Sequence, residues 1–232
     1  MKFLLLPAAR AARRRSVAGG LLGAALATVA PARDWPADLA GRQQAQALLH
    51  TLDADLLSHD SATLTLERWC AAHGLASPAL VVADRVRGAE SAPDAAIRAL
   101  LAVPSAEPVR YRRVHLRCGA TVLSEAENWY VPSRLTPAMN AALDGSDGSF
   151  GHVVAPLGFH RHTLDAELLW RPLPEGWDPG TAPAATGGTM PVPPVLLRHR
   201  AVLRLADGTP FSVVVESYTA GVLAFGPGRD RP

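Results

Sequence analysis

Charged side chains in two segments of this chain stand where a structural strand would be apolar. The segment "VRYRRVHLRC", residues 109–118, carries four arginines and a histidine. In "FSVVVESYT", residues 211–219, the single glutamate Glu216 interrupts an apolar run. Successive strand side chains point to opposite faces. Val109, Tyr111, Arg113, His115 and Arg117 therefore share one face, and Arg110, Arg112, Val114, Leu116 and Cys118 share the other. Neither set is purely apolar, so at least one arginine is expected to meet a carboxylate, whose two oxygens the planar guanidinium fork matches. For Arg110, Arg112 and Arg117 the pattern favours solvated heads on an edge strand, with their stems covering apolar neighbours. Glu216 shares a face with Val214 and Tyr218. Buried without a partner, it would be costly or would take up a proton. A structural Arg–Glu pair between strands would satisfy it, and so would a polar ligand held between the two.

Other groupings carry less. His160 and His162 lie two apart on a strand, and His152 or His199 could join them in a metal site, but nothing in the spacing fixes their geometry. Scattered histidines and no metal are the expectation. Glu125 and Glu127 share a face, yet spacing does not separate acid–base carboxylates from solvated ones. No nucleophile-elbow GxSxG, phosphate loop, paired CxxC motif or internal repeat is present.

The elements that must position these residues follow from periodicity. Ala45, Leu48, Leu49, Leu52 and Leu56 recur at three-and-four spacing, which predicts an amphipathic helix over 39–57. Asp60 or Ser61 caps a second helix, "ATLTLERWCAAH", which stops at Gly74 and pairs with the first. A short strand "ALVVADRV", a helix "APDAAIRALLAV" and the arginine-rich hairpin, turning at Cys118-Gly119-Ala120, come next. The helix "RLTPAMNAALDG" precedes a loop "SFGHVVAPLG" and a long strand "FHRHTLDAELLW". Residues 171–194, rich in proline and glycine, read as a loop or insertion. Two final strands, "VLLRHRAVLRL" and "PFSVVVESYTAGVL", turn at Ala206-Asp207-Gly208-Thr209. The sum is an α+β fold: one antiparallel sheet of five or six strands with the helices packed at one side.

Nearly half of the 232 residues are apolar, enough for one sizeable core. With 23 basic residues against 21 acidic ones, a net charge of +2 gives no field that points to nucleic acid. At the N-terminus, Arg10 and Arg13 to Arg15 precede the uncharged "SVAGGLLGAALATVA" and a small-x-small site at Ala30-Pro31-Ala32. That order is the one of a signal peptide over 1–32, followed by one domain over 33–232; an alanine-rich tail from a misplaced start codon is the alternative. The mature chain would then be periplasmic or secreted, without a membrane span. Cys70 and Cys118, the two cysteines, could form a disulfide or stay buried as free thiols.

Taken together and in order, "YRRVHLRCGATVLSEAENWYVP", "LTPAMNAALDGSDGSFGHVV", "FHRHTL" and "LRHRAVLRLADGTPFSVVVESY" resemble the chorismate lyase family, whose fold is shared with ligand-sensing UTRA domains. The likeness covers roughly residues 45–223 apart from the proline-rich segment. It implies release of pyruvate from chorismate to give 4-hydroxybenzoate, without a cofactor, in a closed pocket between the sheet and helical flaps. The family's carboxylate-binding arginine falls on Arg113 and its acidic residue on Glu216, the two implied catalytic residues. Implied ligand contacts fall on Thr63 (or Ala62), Phe150, Gly151, Arg161 and Asn128, the last standing where the family has an arginine. A small cyclic or aromatic carboxylate is the expected partner and a monomer the default. Chorismate is made in the cytoplasm, so an exported chain of this kind would instead be a non-catalytic protein holding a related acid.

Overall fold

The computed structural model describes residues 34–173, 176–177 and 187–227; the expected signal segment lies outside them. In chain order the elements are β1 (Trp35–Pro36), α1 (Leu39–Leu57), α2 (Ala62–Ala72), β2 (Val81–Arg85), α3 (Ala95–Leu101), β3 (Arg110–Cys118), β4 (Thr121–Tyr130), α4 (Pro137–Gly145), α5 (Phe150–Val154), β5 (His160–Leu168), β6 (Thr189–Met190), β7 (Val195–Arg204) and β8 (Pro210–Thr219). Six strands form one antiparallel sheet in the order β2-β3-β4-β8-β7-β5. The architecture is the expected α+β one.

The helices start where their capping residues stand. Asp38 accepts from the Gly41 amide at 2.8 Å to open α1, and Ser61 caps α2. The buried stripe of α1 runs through Ala45, Leu49, Leu52 and Leu56. The β3–β4 hairpin turns at Gly119, whose φ of 57° only glycine adopts without strain. There is no room for a side chain there either, because an added Cβ would sit 2.7 Å from the Ala76 methyl.

Two expectations are corrected. "SFGHVVAPLG" is not a loop: Phe150–Val154 is a short helix followed by a 3-10 turn over Ala155–Leu157. One and a half turns ended by Pro156 are too few for a periodic signal. The segment 171–194 also contributes structure, because Thr189–Met190 pairs with Trp35–Pro36 and Met190 is buried in the core; residues 174–175 and 178–186 lie outside the described part.

Both sides of the sheet carry apolar packing, unequally. On one face, α1 and α2 pack their leucines and Trp69 against Val114, Leu116, Ala126 and Tyr218. Further along that face, α4 and α5 pack Leu143, Phe150 and Val154 against Tyr130, Ala201, Leu203 and Val214. The reverse face is covered in part by α3, through Ile97 and Leu101 on Trp129, Val202 and Val213. A disulfide between Cys70 and Cys118 ties α2 to the end of β3, which settles the open question about the two cysteines.

Candidate functional site

Strand register decides which charges can meet. Glu216 of β8 lies opposite Ala126 of β4 and His199 of β7, and Ala126 lies opposite Val114 of β3. One row further along, Arg112, Asn128, Val214 and Ala201 are aligned. Arg161 of β5 stands opposite Leu203, two residues along β7 from Ala201. Arg112, Asn128, Glu216, His199 and Arg161 therefore all project from the helix-covered face. They occupy the seam between its two apolar clusters.

At the centre of the seam Arg161 Nη2 donates to Glu216 Oε2 at 2.6 Å, with both side chains more than 90% buried. The Tyr218 hydroxyl donates to the same oxygen at 3.1 Å. Burial works against the Arg161 charge, but Glu216, with Tyr218 beside it, more than offsets this and holds the guanidinium above its ordinary pKa. Burial, and then the Glu216 carboxylate, push the Tyr218 phenol well above its ordinary value. Tyr218 is thus a fixed proton donor. Against this pair lies a cavity of about 30 Å³ walled by Thr63, Asn128, Phe150, Gly151, Arg161 and Glu216 among others. That is room for one or two water-sized groups; a ring-sized acid needs about tenfold more. The walls come close by design of the backbone: a Cβ on Gly151 would meet Thr63 Oγ1 at 2.7 Å and Ser61 Oγ at 2.9 Å. The starts of α2 and α5 therefore meet directly over the sheet.

Six of the seven residues to which the sequence assigned a role line this one cavity. Arg113 does not. It sits opposite Glu127 and Val215, on the reverse face, and pairs with Glu125 at 2.8 Å with both side chains more than a third exposed. The expectation that Arg113 and Glu216 converge on one space is therefore overturned by the pleat: an odd position of β3 cannot reach the face of Glu216. Arg117 is on that reverse face too, 2.6 Å from Asp84.

Arg112 is the arginine that β3 presents on the Glu216 side, and it is not solvated as its pattern suggested. It is 2% exposed. Its Nη2 donates to the Gly148 carbonyl at 3.0 Å, while Nε and Nη1 find no partner in the protein. Burial, and then the nearby Arg85 charge, lower its pKa. A buried donor without a partner costs about 1–3 kcal/mol, so an acceptor added beside Arg112 would be favourable. A signal for it existed: Arg112 shares its face with Val114, Leu116 and Cys118, the more apolar half of the strand.

Sequence reasoning also missed Asp53. His199, fully buried, has Nε2 2.7 Å from Asp53 Oδ1 of α1, while its ring lies edge-on to Tyr218. His152 lies 3.2 Å from Glu67 and His160 3.4 Å from Asp60. Three of the four histidines considered for a metal, His152, His160 and His199, thus stand beside separate carboxylates in or between α1 and α2. Among the described residues no group of three or more His, Cys, Asp or Glu could hold a metal ion, and no helix is long and apolar enough to cross a membrane.

A sheet face roofed by two helical pairs over a buried Arg–Glu pair defines the class, an α+β domain with an enclosed polar seam. By sequence, the chain belongs to one family with the uncharacterized protein y4mC of Sinorhizobium fredii, to which it is 53% identical over 195 residues, 83% of this chain and 82% of that one. No family model matches. Among solved structures, the effector domain of PhnF from Mycobacterium smegmatis is similar at TM-score 0.44 and 14% identity, over 69% of this chain and 88% of that one. The possible transcriptional regulator YydK from Bacillus subtilis is similar at TM-score 0.37 and 16% identity, over 60% of this chain, which spans only 58% of YydK.

Proposed function

We propose that the seam binds a small cyclic or aromatic carboxylate, with Arg112 as the cation that receives the carboxylate and Glu216, held by Tyr218 from behind, as the group that meets a ring hydroxyl. The observation that carries this reading is the buried Arg112 with two unpartnered guanidinium nitrogens, one strand from the Asn128 wall of the small cavity. Arg161 neutralises Glu216, so an added anion would meet a net positive surround. The segments that resemble the chorismate lyase family agree with such a ligand. A bound ring requires the start of α5 to move, since the cavity is smaller than a ring.

Calorimetric titration with 4-hydroxybenzoate tests the reading. Saturable binding that Arg112→Gln removes is the expected result; equal binding by the variant would overturn the role of Arg112, and no heat at millimolar ligand would overturn the site. A second reading, elimination of pyruvate from chorismate, is favoured by the placing of a cation and Glu216 on one face. It requires pyruvate to appear when the protein is mixed with chorismate, and loss of that release in Glu216→Gln. We also propose that the chain works outside the cytoplasm, which the Cys70–Cys118 disulfide supports. Sequencing the N-terminus of protein recovered from cells tests this: a start within a few residues of Arg33 is expected, and an intact Met1 would refute it.

A further inference from the structure

Behind the seam, and separate from its cavity, lies a cleft of about 340 Å³ lined by Arg85, Arg87, Asp144, Ser146 and Asp147, among others. Arg85 ends β2 opposite Val114, so it projects from the same face as Arg112 and Arg110. Arg110 reaches Asp144 at 2.7 Å, and Arg85 donates to the Asp144 carbonyl at 3.3 Å. Two guanidinium groups (Arg85, Arg87) and two carboxylates (Asp144, Asp147) line the cleft, and Arg110 from outside the lining pairs with Asp144, so Arg85 and Arg87 face one carboxylate not already paired, Asp147. Arg112 is the link, because it donates to the Gly148 carbonyl, next in the chain to Asp147 of the cleft, while its neighbour in register, Asn128, walls the seam cavity. The partition between the two spaces is one short run of chain. Asp144 to Asp147 line the cleft, Gly148 caps Arg112, and Phe150 and Gly151 line the cavity. Two main-chain acceptors pin this run, the Asp147 carbonyl by the Ala83 amide at 2.9 Å and the Gly148 carbonyl by Arg112.

We propose that the cleft is an outer docking site for the carboxylate of an acidic ligand, which Arg85 and Arg87 receive before the run 146–150 swings aside and Arg112 exchanges the Gly148 carbonyl for the ligand. The destination of this route rests on the proposed seam site; the docking step stands by itself. A carboxylate is a better acceptor for a guanidinium than a neutral carbonyl, so the exchange favours opening. Charge in a concave, partly desolvated site raises the local anion concentration and the on-rate.

Arginine side-chain Nε–Hε resonances of 15N-labelled protein, titrated with 4-hydroxybenzoate, test both sites at once. Signals are assigned from single Arg→Gln variants, and Arg85 and Arg87 are exposed, so their variants retain the fold. Saturable shifts at Arg85 and Arg87 as well as at Arg112 and Arg161 are expected. The double variant Arg85→Gln/Arg87→Gln should then slow association, followed by tryptophan fluorescence at low salt, by about tenfold. Shifts confined to Arg112 and Arg161, or an unchanged association rate, overturn the docking site and leave the seam site standing. Shifts confined to Arg85 and Arg87 uphold docking and overturn the seam reading, and no shift at any of the four overturns both.

Discussion

The same sheet carries an arginine–glutamate pair on each of its faces, and the two differ in everything but chemistry. Arg161 and Glu216 meet at 2.6 Å under two helical pairs, while Arg113 and Glu125 meet at 2.8 Å in water's reach. In the first, desolvation makes each charge dependent on the other, so removing one leaves an uncompensated ion. In the second, solvent screens the attraction and takes over when a partner is lost. The lesson is that the distance of an ion pair says little about its worth, and that the surrounding apolar clusters set it.

The largest effect expected from breaking this contrast is at the buried pair. Glu216→Ala should lower unfolding free energy by about 3–5 kcal/mol, read by urea denaturation; a change no larger than that of Glu125→Ala would show that the two faces are equivalent after all. Next comes the tether that holds α2 over the seam. Cys70→Ser/Cys118→Ser closes no loop across a separation of 48 residues and should cost about 2–4 kcal/mol, measured against wild type under non-reducing conditions. Gly151→Ala forces the starts of α2 and α5 apart and should cost about 1–3 kcal/mol by overpacking, with faster exchange of amides in 61–66 and 149–154.

A pH effect sharpens the account of the reverse face. Burial, and then the hydrogen bond to Glu127 at 2.5 Å, raise the Tyr111 phenol to about 12. A raised pKa means that the folded state holds the proton longer, so this stability is complete below pH 10 and is lost as pH rises through about 12. Tyr111→Phe should flatten the fall of thermal midpoint in that window; an unchanged slope would assign the fall to Tyr218 or to other groups. Smallest of all is Arg113→Ala, expected to cost at most about 1 kcal/mol and to leave 4-hydroxybenzoate binding intact.

Much of the site was legible in the chain itself. Glu216 announced itself as a lone charge in an apolar strand, and the resemblance of several segments brought Thr63, Phe150, Gly151, Asn128 and Arg161 to one place. Two things were not legible. Arg112 and Arg113 are adjacent and chemically identical, so only the direction of each decides which one faces the Glu216 side. Asp53 is one acid on an exposed-looking stretch of helix, and nothing local says that a buried histidine of β7 waits 146 residues away.

By itself the sequence determined α1 to α4, the hairpins, the alternation along each strand and the need of Glu216 for a partner, because caps, turns and periodicity act over a few residues; α5 was too short to register. Only the tertiary structure decided which parity of β3 faces Glu216. That choice passes through β4 from one strand to the next, and a slip of one residue at either pairing would have put Arg113 in the seam and Arg112 in solvent.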